Sequence, residues 1–163
     1  MVENKHVEKN QQKESLLPST ILTGFVGGLF WSLVGVIISY FNFTELSPRT
    51  FILRPWLRLE WTEGWLGNVL SIGIIGLLSI IVALIYFVLC KKIYSMWMGV
   101  IFGIILWGIV FYLLQPVFTN VPRLTELTPN TILSTISLFI LYGTFIGYTI
   151  SYNYHDSERQ LHH

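Results

Sequence analysis

The chain has 163 residues, of which 53% are hydrophobic and only 12% charged, and its mean hydropathy is +0.61. A water-soluble domain carries about 25% charged residues, so this composition describes a chain whose solvent is mostly lipid. The net charge of +1 excludes the strong basic field of a nucleic-acid binder, and the single cysteine, Cys90, excludes an internal disulfide framework and a CxxC metal or redox pair.

Residues 1–18 form a polar tail of mixed charge, "MVENKHVEKNQQKES" followed by Leu16, Leu17 and Pro18. The apolar run that follows is too long for a signal-peptide core and has no A-x-A cleavage site before it, so it is read as a retained span. Four runs reach the ~20 apolar residues needed to cross ~30 Å of hydrocarbon. They cover roughly residues 19–41, 65–89, 96–114 and 131–152, and none contains Asp, Glu, Lys, Arg or His. Each is expected to be an α-helix, which gives an all-α integral membrane fold of four transmembrane helices in a compact bundle.

The boundaries carry their own chemistry. Pro18 precedes the first span and Gln115-Pro116 stops the third, where proline lacks the donor N–H that a continuing helix needs. In "LTPNTILS", Thr128 is the expected N-cap of the fourth helix and Pro129 its first residue. Trp56, Trp61 and Trp65 gather on one side, and Tyr94, Trp97, Tyr152 and Tyr154 on the other, as interfacial aromatic belts do. Trp31 and Trp107 fall near mid-span, so their indole N–H groups are expected to face neighbouring helices. Cys90, beside Lys91 and Lys92, reads as a small apolar residue at a helix end, with palmitoylation as the alternative.

Helices in lipid associate by close backbone approach through small residues. Gly24, Gly28, Ser32, Gly35 and Ser39 form such a stripe in the first span, and Gly73, Gly76, Ser79 and Ala83 in the second. Gly99 and Gly103 mark the third, and Gly143, Gly147 and Ser151 the fourth. The glycines Gly24, Gly28, Gly99, Gly103, Gly143 and Gly147 are the candidate helix-packing positions. They serve internal packing, or leave a face for a homo-oligomer or another membrane protein.

No P-loop, HExxH, GxSxG or pair of carboxylates lies within a span, so no catalytic residue, metal site or cofactor is expected. The terminal segment 153–163 holds His155, His162 and His163, which read as a solvated tail rather than a metal site. The functional lead is the first connector, "FNFTELSPRTFILRPWLRLEWTEG". It places Arg49, Arg54 and Arg58 beside Glu45, Glu60 and Glu63, and from Pro55 onward a helix would align Leu57, Trp61 and Trp65. An interfacial helix with Trp56 and Trp61 towards the bilayer and the arginines at headgroup level follows, a solvated connector being the alternative. The lysines Lys5, Lys9, Lys13, Lys91 and Lys92 fall in the tails and the second connector, whereas Arg49, Arg54, Arg58 and Arg123 fall in the first and third. The positive-inside rule then puts both termini in the cytoplasm and the arginine connector outside.

The four-span order, the "SPR…RPW" connector, the "KK" turn and "QPVF…VPR…TPNT" resemble the YqhR-type conserved membrane proteins of endospore-forming bacteria over nearly the whole chain except the tails. A more distant likeness to YagU-type inner-membrane proteins rests on architecture and a Pro-Arg connector. The resemblance implies a bacterial cytoplasmic membrane and supplies no catalytic residues. The expected function is a structural or interaction component of that membrane, whose Arg/Trp connector engages anionic headgroups or a partner. A small oligomeric pore or transporter is the alternative.

Overall fold

Hydrocarbon offers no partner to backbone N–H and C=O groups, so each apolar run must close its own hydrogen bonds. The structure, a computed structural model, describes residues 2–48, 50, 53, 65–90, 93, 95–113 and 122–160. It contains α1 (Val2–Tyr40), α2 (Trp65–Cys90), α3 (Met96–Gly108) and α4 (Pro129–Gln160), with α3 continuing into a π-helical turn, Ile109–Leu113. The stretches long and apolar enough to cross a membrane are Leu16–Tyr40, Trp65–Cys90, Met96–Leu113 and Pro129–Ser157. The protein is an all-α integral membrane protein with four spans.

Two ends differ from the sequence expectation. Pro18 does not mark the start of α1, because the helix passes through it from Val2. Proline removes one intrahelical donor, but Leu16 in the preceding turn is 5% exposed and packs in the cluster that holds Cys90 and Ile150. Burial of that turn favours continuing the helix past the proline. At the other terminus α4 runs on beyond Tyr152 to Gln160, and Asn153 Nδ2 donates to Ser19 Oγ at 2.8 Å, tying it to α1. Pro129 does open α4, with the Thr128 carbonyl accepting the Ile132 N–H at 3.1 Å. Gln115 and Pro116 lie outside the described residues.

The helices run up and down. α1 packs most closely on α2 and α3 on α4, and the two pairs are joined through α1 and α4, while α2 and α3 meet sparsely. The faces are reversed relative to a soluble bundle. On α2 the buried residues include Gly67, Ser71, Gly76, Ser79 and Ala83, and Leu70, Leu77, Ile81, Ile85 and Val88 point outward. Lipid is as apolar as leucine, so large side chains lose nothing outside and small ones let backbones meet inside. Among the described residues, two apolar clusters form the core. One lies at the tail end around Tyr86, Phe87 and Ile146; the other lies at the connector end around Leu46, Phe111 and Leu127.

Candidate functional site

Arg49, Arg54, Arg58, Trp56 and Trp61 lie outside the described residues. The base of their connector is described, and it is pinned to the start of α4. The Glu45 N–H donates to Thr131 Oγ1 at 3.2 Å, which also accepts the Thr128 hydroxyl at 3.0 Å. The Ser134 hydroxyl donates to the Phe43 carbonyl at 3.1 Å. Within the connector, Thr44 Oγ1 accepts the Leu46 N–H at 3.1 Å. Asn42 takes a left-handed conformation, φ 58°, at the exit of α1, where asparagine is better tolerated than most residues. Thr131 is 1% exposed, so this anchoring is shielded from competing water.

The packing glycines fall into two seams. Gly99, Gly103, Gly143 and Gly147 are brought together between α3 and α4. A Cβ on Gly99 would lie 2.8 Å from the Gly143 carbonyl oxygen, and one on Gly147 would lie 2.8 Å from Gly99 Cα. A Cβ on Gly103 would collide with the Phe139 carbonyl. Gly24 and Gly28 form the second seam, against Ala83, Ser79 and Gly76 of α2, where a Cβ on Gly24 would come within 2.7 Å of Ala83 Cβ. Gly73, read with the α2 stripe, instead has no neighbour within 4 Å of a would-be Cβ among the described residues. It lies one turn short of the contact, a distinction that residue type does not carry.

The α1–α2 seam also holds a buried hydroxyl chain. Ser79 Oγ donates to the Gly24 carbonyl at 2.6 Å and lies 2.6 Å from the Tyr142 hydroxyl. Serine has one proton, so with that proton on Gly24 the Tyr142 O–H donates to Ser79. The chain links α4, α2 and α1 at mid-bundle. Ser79 belonged to the small-residue stripe, but Tyr142 gave no separate signal in the sequence, since tyrosine is common in membrane helices. Trp107 Nε1 donates across to Thr135 Oγ1 on α4 at 3.1 Å. Trp31 packs against the tail-end cluster with its indole N–H buried and without a partner among the described residues. Tyr86, fully buried, sits edge-on to Phe102, and its hydroxyl lies beside Ser151 without a hydrogen bond of good geometry.

A cavity of about 390 Å³ lies between the two apolar clusters. Trp31, Val82, Leu106 and Tyr142 reach it from the tail side, and Leu46, Phe111 and Phe139 from the connector side. Its wall is almost wholly carbon. Among the described residues no group of His, Cys, Asp and Glu side chains is placed to hold a metal ion. The hydroxyl chain joins helices, and the cavity offers volume without charge.

Comparison with known proteins adds a family. The family described as "Conserved membrane protein YqhR" matches residues 2–163. A Bacillus subtilis (strain 168) protein described as "Uncharacterized protein YqhR" is 43% identical over 149 residues, which cover 91% of this chain and 83% of that protein. No solved structure matches the chain. The likeness to YagU-type proteins finds no support in these matches.

Proposed function

Because the chain belongs to the YqhR family of conserved membrane proteins, we propose that it is a structural or interaction component of the bacterial cytoplasmic membrane. Its termini lie in the cytoplasm, and the connector between α1 and α2 works at the outer surface. There Arg49, Arg54 and Arg58, with Trp56 and Trp61, engage anionic lipid headgroups or an acidic partner. The guanidinium fork holds phosphate or carboxylate bidentately, which the lysine ammonium cannot do. The observation that carries this reading is the pinning of residues 43–46 to Thr131 and Ser134 of α4. A connector so anchored starts its arginine segment from a fixed point on the bundle. Pairing to the nearby glutamates does not account for three arginines, because an exposed ion pair contributes only about 0–1 kcal/mol.

The rival reading, a small oligomeric pore or transporter, needs polar stations along a path. Relays in such proteins are ionisable residues within the membrane, and residues 19–41, 65–89, 96–114 and 131–152 contain no Asp, Glu, Lys, Arg or His. The nearly all-carbon cavity wall supports the interaction reading over the pore.

The test is retention of phosphatidylglycerol by the purified full chain, counted by native mass spectrometry. The double variant Arg49→Lys/Arg54→Lys should insert and fold as the parent does while binding the lipid about tenfold more weakly, the effect of losing ~1.4 kcal/mol. Parent-like retention would reduce the connector to a solvated link, and failure to fold would make its role structural.

A further inference from the structure

Between α2 and α3 the bundle does not close. The two helices meet at the tail end, where the Tyr86 and Phe102 rings lie 4.9 Å apart, and they leave the 390 Å³ cavity towards the connector end. The geometry points to a lipid-binding site: the cavity takes one acyl chain of a membrane glycerolipid, entering sideways from the leaflet at the connector end.

The mouth identifies the solvent that meets it. Leu78, Ile81 and Ile109 line the cavity and are 46, 56 and 41% exposed, so they are lips on the outward surface between α2 and α3. All three lie within membrane-spanning stretches, continuous with the apolar outer faces that carry Leu77, Ile85 and Ile105. Hydrocarbon meets a mouth at that depth. Water is a poor occupant, since apolar cavities stay dry.

The wall dictates an apolar occupant. Most of the hydroxyls that reach it already donate within the bundle: Ser32 to the Leu29 carbonyl, Thr135 to Thr131, Ser79 to Gly24 and Ser134 to Phe43. A headgroup would find no charged side chain there, and the indole N–H of Trp31, without a partner among the described residues, is itself buried. Size points to a chain rather than a helix of a second copy. The volume falls within the range of about 300–1,000 Å³ for ligand pockets. Two turns of a helix about 10 Å across and about 11 Å long already exceed it about twofold.

The π-helical turn Ile109–Leu113 is independent support. Such a turn inserts extra backbone into an α-helix and marks functional sites more often than chance. Here it supplies Ile109, Val110 and Phe111 to the wall. Thr44, Leu46 and Pro48 close the connector end as a roof, and Pro48 is followed directly by Arg49. The chain site stands whether or not the arginines that follow in the sequence select a headgroup.

The test uses the full chain in lipid nanodiscs that contain a trace of phosphatidylglycerol with a photoreactive diazirine on one acyl chain. A phosphatidylcholine probe is run in parallel, and adducts are mapped by mass spectrometry. Labelling should favour Leu78, Ile109, Val110 and Leu138 over the outward-facing Leu22 and Val88 by about tenfold. A Cβ on Gly35 would make only ordinary contact, 3.7 Å from Leu138 and Pro48. Gly35→Ala should therefore keep the labelling, and Gly35→Leu, which fills the cavity, should abolish it there and leave Leu22 and Val88 unchanged. If Gly35→Leu does not fold, Val110→Phe fills the cavity from the opposite wall with the same expectation. Equal labelling of cavity and outer faces, cavity labelling that survives both fillers, or crosslinks through these residues to a second copy would overturn the site. Cavity labelling by both headgroups alike would uphold it and remove only the arginine reading.

Discussion

Ser79 holds two neighbours with one oxygen, which makes its removal asymmetric. Ser79→Ala deletes the bond to the Gly24 carbonyl and strands the Tyr142 hydroxyl in the bundle interior, whereas Tyr142→Phe leaves the Ser79–Gly24 bond in place. An unsatisfied buried hydroxyl costs about 1–3 kcal/mol, and interhelical hydrogen bonds in membranes average nearer ~0.6. Ser79→Ala should therefore destabilise by roughly 1–2 kcal/mol and Tyr142→Phe by less than about 1 kcal/mol. The double variant should cost no more than Ser79→Ala alone, since the orphaned group is gone. Thermal unfolding in mild detergent measures all three, and simple additivity would show that the chain is not coupled. Thr131 gives a second case at this scale. Thr131→Val removes the acceptor of the Glu45 N–H, so exchange of that amide with solvent deuterium should speed up by about tenfold, with the spans unaffected. An unchanged rate would mean that the connector is held elsewhere.

At the scale of helices, the seams separate glycines that matter from glycines that do not. Gly103 packs against the backbone of Phe139 and Ile140, which cannot rotate aside as a side chain can. Gly103→Leu should loosen α3 from α4 at a cost of roughly 1–3 kcal/mol, by analogy with overpacked cores. Gly28→Leu should do the same to α1 and α2, since Ser79 and Gly76 stand in its way. Among the described residues nothing lies within 4 Å of a Cβ placed on Gly73, and Gly73→Ala should be neutral or stabilise by up to about 1 kcal/mol. Detergent melting of the three variants checks the contrast. Equal effects would mean that the loss depends on helix propensity and not on the seam.

For the whole molecule the testable property is orientation. By the positive-inside rule, the lysines of the first tail and the α2–α3 connector, set against the arginines of the first connector, predict both tails inside and the arginine segment outside. Reporter fusions ending after Leu59 and after Lys92 should report opposite compartments, with the periplasmic or extracellular signal at Leu59 and the cytoplasmic one at Lys92. An outside signal at Lys92 inverts the bundle and moves the proposed headgroup contacts to the inner leaflet.

Four uncharged runs of sufficient length determine four helices, because hydrocarbon admits no other backbone for a lone segment; Pro129 likewise determines where α4 begins. The small residues Gly24, Gly28, Gly99, Gly103, Gly143 and Gly147 were legible as packing positions because close approach selects by size. Which partner each meets was not legible. Gly24 opposite Ala83 and Gly99 opposite Gly143 are contacts across helices, and no local period records them. The same limit explains Gly73, which has the right residue type on a face without a neighbour, and Pro18, whose breaking tendency is outweighed by burial of Leu16 on residues far along the chain. The Tyr142–Ser79–Gly24 chain and the cavity beside it exist only where three or four helices converge. Their geometry is set by tertiary packing because lipid imposes no apolar or polar face on a helix, leaving which side turns inward to be decided by the fit of one helix against another.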